Sequence, residues 1–406
     1  MYTDRRPRAA GDGRPSSDRP MRFFVDSPAF MAQLQRDVTA ARRSIRAQVM
    51  TFEGDEAGTR FASLLLGRND LERTLIIDRY SRFHISDRFL PSPRNILKAS
   101  LWQERRETLR VARDLAEDGV RVHWTNPVGI LFLEFVARNH KKSVVVDDRI
   151  VYLGGINVSD HNFAWHDFML RIDDERVGAF MRDDIAATLR GENLSSRRDF
   201  GGLEVALLDG ETNPQQIEPV LKLIREARAS VFVQSAYLAF PFFDYLADAA
   251  GRGVPVTLVT PKDNNMPAMS AYAEWAAARA GVALRLYDGR MSHIKAMLVD
   301  DEALVLGSSN FDYLSFHAHQ EVLAIVRDPE VIAQYKRDVL EPDLAQSVAP
   351  AGDYSPVWQV CRERSIRGVG RVAVPVSRWL RGRRAARRRA AAGVPARAES
   401  GFTGSE

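Results

Sequence analysis

The sequence predicts an α/β protein of two lobes related by a pseudo-twofold, each a central mixed β-sheet flanked by helices. Two observations predict it. Helical and buried-strand patterns alternate along the chain, and one stretch is written twice. "NHKKSVVVDDRIVYLGGIN", from Asn139 to Asn157, aligns without a gap on "SHIKAMLVDDEALVLGSSN", from Ser292 to Asn310. His140 matches His293, Lys142 matches Lys295, Asp147 matches Asp300, Gly154 matches Gly307 and Asn157 matches Asn310, each pair 153 positions apart.

The elements follow in order. Phe30 to Ala47 reads as an amphipathic helix, with Phe30, Leu34, Val38, Ala41 and Ile45 at helical spacing. "SIRAQVMTF" reads as a buried strand, "GTRFASLLLGR" as a helix and "RTLIIDRY" as a second strand. Tyr80 to Ser100 is loop-like, broken by "LPSPRN". A helix from Trp102 to Asp118 stops at Gly119 before the strand "VRVHW", and the hairpin "KSVVVDD"/"RIVYLGG" comes next. The second half repeats this order. Helices Ile217–Ala229, Phe243–Arg252 and Tyr272–Ala280 alternate with "SVFVQSAYL", "VPVTLVTP" and "VALRLYD", before the hairpin "KAMLVDD"/"ALVLGSS". The division is a disordered N-terminal tail (1–21), a first lobe (22–200), a second lobe (201–345) and a basic C-terminal tail (346–406).

Composition narrows the function. The 406 residues can bury a large core. The single cysteine, Cys361, excludes an intrachain disulfide and a thiolate metal cluster. No run of 18 apolar residues is present, so no transmembrane helix is expected. The N-terminus lacks the apolar core of a signal peptide. The net charge of +4 is unevenly placed: Arg362 to Arg389 carries eleven arginines against Glu363, and the rest of the chain is net acidic. A basic tail on an acidic body suits an anionic partner such as a membrane surface or nucleic acid.

The doubled motif is not accidental. With eight histidines and seven lysines in 406 residues, composition alone gives roughly 0.14 chance H-x-K pairs. Fifty arginines outnumber those lysines, yet both motif positions are Lys, so a compact ammonium is wanted there rather than a guanidinium fork. On a strand, residues i and i+2 share a face, so His140 and Lys142, and likewise His293 and Lys295, stand side by side. A pseudo-twofold brings the pairs to one cleft with Asn157 and Asn310. That constellation suits a tetrahedral anion: lysines and amides hold phosphoryl oxygens, one neutral imidazole attacks phosphorus and the other, protonated, supplies the leaving alkoxide with a proton. No metal or other cofactor is required.

These residues resemble the signature of the phospholipase D superfamily, H-x-K-x4-D followed by G-G/S-x-x-N. His140, Lys142 and Asp147 with Gly154, Gly155 and Asn157 match one copy; His293, Lys295 and Asp300 with Gly307, Ser308 and Asn310 match the other. The resemblance covers residues 22 to 345 and implies a metal-free ping-pong reaction through a phosphohistidine. It implies His140 as nucleophile and His293 as general acid, and an acidic residue after the Gly-Ser strand that orients an imidazole. Glu321 fits that position, with Asp167 as its first-lobe counterpart; a carboxylate there fixes the tautomer. Asp147 and Asp300, of the catalytic motif, are expected to support the site through salt bridges.

Within the superfamily the chain is most similar to bacterial cardiolipin synthases, through "RNHKK", "FEGDEAG", "GGIN", "GSSNFD" and "AYLAFPFFDYLADAAGRGVPVTLVTP". It departs at Tyr313-Leu314, where an Arg usually follows the Asp. The resemblance implies transfer of a phosphatidyl group to an alcohol such as phosphatidylglycerol, with hydrolysis of phospholipids or nuclease-type phosphodiester cleavage as alternatives. The apolar "NPVGILFLEFV" (Asn126 to Val136) lies before His140 and suits an acyl groove, the interface or an ordinary buried element. The Arg-rich tail with Trp379 suits an anionic membrane surface. A phospholipid substrate, no nucleic-acid partner, no required oligomer and a peripheral place on the cytoplasmic face of a bacterial inner membrane complete the expectation.

Overall fold

In the computed structural model, residues 20–129, 132–352 and 355–391 are described. The tail expected to be disordered lies outside them except for Pro20 and Met21.

The first lobe is built on a seven-stranded mixed sheet. Its strands are β1 (Met21–Val25), β2 (Ser44–Val49), β3 (Glu72–Asp78), β6 (Arg121–Thr125), β7 (Ser143–Val146), β8 (Ile150–Gly154) and β9 (Phe168–Asp173), and a small hairpin stands apart as β4 (His84–Ile85) and β5 (Arg88–Phe89). Its helices are α1 (Asp26–Ala40), α2 (Glu56–Leu66), α3 (Ala99–Glu117), α4 (Asp160–Ala164) and α5 (Glu175–Leu189). The second sheet has nine strands: β10 (Ser196–Asp199), β11 (Leu203–Asp209), β12 (Val231–Ser235), β13 (Val256–Pro261), β14 (Ala283–Tyr287), β15 (Lys295–Val299), β16 (Ala303–Gly307), β17 (Gln320–Val326) and β18 (Ser347–Val348). Helices α6 (Asn213–Glu226), α7 (Phe242–Gly251), α8 (Pro267–Ala280), α9 (Tyr313–His317), α10 (Pro329–Tyr335), α11 (Glu341–Ala345) and α12 (Pro356–Ala391) complete the chain.

The sheets share one topology. The first runs β1-β9-β8-β7-β2-β3-β6 and the second β11-β17-β16-β15-β12-β13-β14, with β10 and β18 added at its edges. In both, three strands are parallel (β2, β3, β6; β12, β13, β14) and the motif strands β7 and β15 run antiparallel to their neighbours. Strand β10 pairs with β11, so Ser196–Asp199 belong to the second sheet. The expected helix Phe30–Ala47 ends at Ala40. Ile45 and Ala47 instead sit in β2, where strand pairing with β3 and β7 overrides the continued helical spacing.

Three apolar layers hold the lobes. Phe30, Leu34, Phe61, Leu65 and Leu115 pack the outer helices on the first sheet, and Ile217, Leu221, Phe242 and Leu246 do so on the second. A third core lies between the sheets, joining Val145, Val151 and Leu170 of one lobe to Leu298, Leu306 and Val322 of the other. This shared core makes the lobes one packed unit and fixes how the motif strands face each other.

Where described, the apolar stretch before His140 shows no strand and no α-helix, only a 3-10 residue at Phe132 followed by turns. Phe132 is in a left-handed conformation (φ 59°); Ile130 and Leu131 lie outside the described residues. Phe132 and Phe135 join Phe83, His84 and Phe89 in an aromatic cluster. The C-terminal segment expected as a tail contains α12, which packs on α8 and α9. Gly370 sits on the Tyr313 ring so closely that a Cβ there would lie 2.2 Å from Tyr313 Cε1.

Candidate active site

The segments that enter β7 and β15 carry the two motifs into one buried cleft. His140 and His293 are 6% and 5% exposed, and Lys142 and Lys295 no more than 1%. Alternation sends Lys141 the other way, where its ammonium pairs with Asp184 of α5 at 2.5 Å. Its counterpart Ile294 packs in the shared core. That position therefore serves packing, which is why the copies differ there.

The lobes dock by exchanging backbone bonds around the histidines. His140 N–H donates to Gln320 O at 2.8 Å, and His293 N–H donates to His166 O at 2.8 Å. Gln320 N–H returns a bond to Arg138 O (2.9 Å) and His166 N–H to Met291 O (2.8 Å). The consequence is a crossed pair of acid–imidazole contacts. Glu321 of the second lobe meets His140 Nδ1 at 3.0 Å. Asp167 of the first lobe meets His293 Nδ1 at 2.8 Å. Each carboxylate fixes the Nδ1–H tautomer and leaves Nε2 as the free ring nitrogen. Each lysine folds onto its own motif: Lys142 Nζ donates to His140 O at 2.7 Å and Lys295 Nζ to His293 O.

The pairs differ in one useful respect. Glu321 also accepts from Ser308 Oγ, and from Ser315 Oγ at 2.9 Å. Burial pushes its pKa up, but its interaction with the His140 ring, with His319 adding to it, outweighs that and holds it well below the carboxylate range. Asp167 stands against Gly155, where a Cβ would lie 2.3 Å from Asp167 Oδ2. Burial raises its pKa to about 6, opposed by Lys295 and the Phe168 N–H. Gly155 and Ser308 occupy the same motif position, so the Gly-Gly versus Gly-Ser difference sets how firmly each carboxylate is held.

Burial, with Lys142 as a second cause, depresses His140 to about 3, against Glu321. Burial, Lys295 and Lys142 push His293 well below the usual imidazole range. Both rings are therefore neutral at pH 7 among the protein's own groups. Burial lowers Lys142 to about 7 and Lys295 to about 8. An anionic phosphoryl group placed between them favours the charged form of all four. Asn157 Oδ1 accepts from Thr51 N–H at 3.1 Å, leaving its NH2 group to donate. The Asn310 side-chain oxygen is buried with no partner among the described residues.

Asp147 and Asp300 lie away from this cleft. Each lies five positions after its motif lysine, roughly 16 Å of extended chain. Asp147 accepts the N–H groups of Arg42, Arg43 and Ser44 at 2.8, 2.7 and 2.9 Å, and Asp300 those of Arg228, Ala229 and Ser230 at 2.7–3.1 Å. They hold type I′ turns, with φ of 55° and 57° at Asp147 and Asp148 and 53° and 58° at Asp300 and Asp301. Backbone amides, rather than the expected salt bridges, are the partners of these carboxylates.

Several neighbours escaped the sequence reading. His319 stacks on His140 at 5.2 Å, and Trp165 packs on His293 at 5.1 Å. These rings match under the pseudo-twofold, but a one-residue offset after Asn157 hides the match. His166 bridges Asp26 (2.8 Å) and Asp343 (3.1 Å). Burial opposes its charge, but the hydrogen bonds to Asp26 and Asp343 outweigh it and raise the pKa to about 9; it clamps the lobes. His140, His319 and Glu321 bring metal-ligand atoms within 4.8 Å of one another, but His140 Nδ1 and Glu321 already engage each other.

A double H-x-K cleft on two sheets of one topology defines a phospholipase D-type protein. The family described as "Cardiolipin synthase, PLD-like domain" matches residues 34–188 and 220–341, and the chain belongs to it. A cardiolipin synthase of Staphylococcus aureus is 30% identical over 239 residues, covering 52% of this chain and 47% of that protein. Cardiolipin synthase 1 of Staphylococcus epidermidis is 25% identical over 356 residues, 80% of this chain and 68% of that one. The chain spans about half the length of the first of these relatives. Among solved structures, phosphatidylserine synthase of Haemophilus influenzae has a TM-score of 0.63 at 14% identity, covering 88% of this chain and 95% of that one. Polyphosphate kinase of Porphyromonas gingivalis gives 0.53 at 15%, with 87% and 56% covered. Both share the fold.

Proposed function

We propose that this protein is a phosphatidyltransferase of cardiolipin synthase type, which moves a phosphatidyl group through a phosphohistidine to an alcohol such as phosphatidylglycerol. The crossed, unequal acid–imidazole pairs carry the reading. His140 Nε2 attacks phosphorus as the phosphorus–oxygen bond to the leaving alcohol breaks. His293, protonated beside the bound anion, gives its Nε2 proton to that oxygen. The acceptor hydroxyl then loses its proton to His293, attacks phosphorus and breaks the P–N bond, restoring His140. Lys142, Lys295, Asn157 and Asn310 hold the nonbridging oxygens throughout. The firmly anionic Glu321 favours His140 as nucleophile, because that ring becomes cationic when phosphorylated.

The relatives named cardiolipin synthase support the lipid substrate. Among the described residues no helix is long and apolar enough to cross a membrane, and this reading assigns contact with anionic lipid to α12. Its outward face shows Trp358 (71% exposed), Val372 (66%) and Trp379 (57%), flanked by exposed Arg364, Arg371 and Arg383.

The test is product analysis by mass spectrometry on phosphatidylglycerol vesicles, with His140→Ala and His293→Ala alongside. Cardiolipin made by wild type and by neither variant is expected. Phosphatidic acid alone would make it a hydrolase, and cleavage of DNA without any lipid product would overturn the lipid reading.

A further inference from the structure

The first lobe exceeds the second mainly between Tyr80 and Trp102, and that excess ends beside His293. Strands β4 and β5 form a two-residue hairpin with Ser86 and Asp87 at its tip, both left-handed at φ 46° and 57°. Neither is glycine, so the tip is strained and must be held. It is held from below. Ser86 N–H donates to both oxygens of the buried Glu53 carboxyl at 3.2 Å, and Ser86 Oγ donates to Glu104 at 2.9 Å. Burial, then the hydrogen bond and charge of Glu104, raise Glu53 to about 10, so it stays protonated beneath the tip.

The propped tip presents Asp87 to a closed ring of contacts around the general acid. Asp87 meets His161 Nε2 at 3.4 Å. His161 packs on Trp165 at 5.3 Å, and Trp165 on His293 at 5.1 Å. Tyr237 stands edge-on to His293 at 5.9 Å and donates to Asn265 Oδ1 at 2.6 Å. Asn265 Nδ2 donates back to Asp87 at 3.2 Å. Asp87 keeps 37% of its side chain open and His161 22%, so the polar corner faces outward.

We propose that Asp87, His161 and Asn265 form the subsite for a hydroxyl-rich, glycerol-type headgroup on the alcohol that His293 protonates or deprotonates. The proposal rests on the transferase reading above. His293 acts on the bridging oxygen of the alcohol, so the rest of that alcohol lies on the His293 side. A carboxylate, an amide and an imidazole supply the mixed acceptors and donors that vicinal hydroxyls need. The carboxylate's charge is already engaged by His161 and Asn265, which favours neutral hydroxyls over an ammonium headgroup.

The experiment uses the full chain with dioctanoyl phosphatidylglycerol and a mixture of deuterated glycerol, ethanolamine and 1-butanol. All three acceptors draw on one phosphohistidine, so product ratios report acceptor selection whatever the overall rate. Wild type should favour glycerol over butanol, and Asp87→Ala should cut that preference about tenfold or more, the scale of a lost charged hydrogen bond. Asn265→Ala, on the other lobe, should shift the ratio the same way while leaving every hairpin side chain and the Ser86–Glu53 and Ser86–Glu104 bonds in place. Ratios within twofold of wild type in both variants would overturn the subsite. A fall confined to ethanolamine would replace the polyol by an ammonium group. If wild type forms no phosphatidyl alcohol with any acceptor, the transferase reading fails and takes the subsite with it.

Discussion

Glu321→Gln removes one charge and almost no volume. In the wild type this buried carboxylate accepts from His140 at 3.0 Å, from Ser308 and from Ser315 at 2.9 Å. When Nε2 of His140 takes the phosphoryl group, the ring becomes cationic. A carboxylate roughly 4 Å from that charge contributes about 4 kcal/mol at an effective dielectric near 20. A neutral amide keeps a hydrogen bond worth about 1 kcal/mol. The difference of about 3 kcal/mol lowers kcat roughly a hundredfold at 1.4 kcal/mol per decade. Rapid-quench kinetics on a labelled short-chain phospholipid reads the phosphohistidine burst directly, and thermal denaturation checks that the variant is folded. A folded variant with kcat within threefold of wild type would refute the assignment of Glu321 to the nucleophile. So would phosphoryl label found on His293.

Three further outcomes follow from the same geometry. Asp147→Ala and Asp300→Ala should each cost about 2–3 kcal/mol of stability in urea denaturation, because three backbone N–H groups lose an ionised acceptor; a large kcat loss in folded protein without that destabilisation would contradict the turn-holding role. Glu53, raised to about 10 chiefly by burial, holds in the folded state a proton that the unfolded chain releases above about pH 4.5. Stability from this group therefore falls as pH rises from there toward 10, and Glu53→Gln should gain Tm relative to wild type between pH 6 and 9; parallel Tm curves would rule the buried proton out. Trp358→Ala with Trp379→Ala should weaken sedimentation with anionic vesicles about tenfold or more, the scale of lost interfacial apolar area. Undiminished binding would remove α12 from the membrane contact.

What the sequence determined is local. The two-residue spacing put His140 beside Lys142 and His293 beside Lys295. The structure starts β7 at Ser143 and β15 at Lys295, so the histidines lie in the segments that enter these strands. The repeat itself predicted two lobes of one topology, and the rows of strands match in order. Identity at Glu321 and Asp167 was legible through resemblance, but not which histidine each one holds. That crossing joins residues 181 and 126 positions apart, and only the packing of Val145, Leu170, Leu298 and Val322 into one shared core decides it. The same holds for Asp147 and Asp300: their place in the motif hid that a β-strand's length carries them away from the cleft. The hairpin tip at Asp87 gave no periodic signal. Its neighbours His161, Asn265 and Tyr237 come from three other segments and both lobes, so nothing short of the docked tertiary structure could bring them to one histidine.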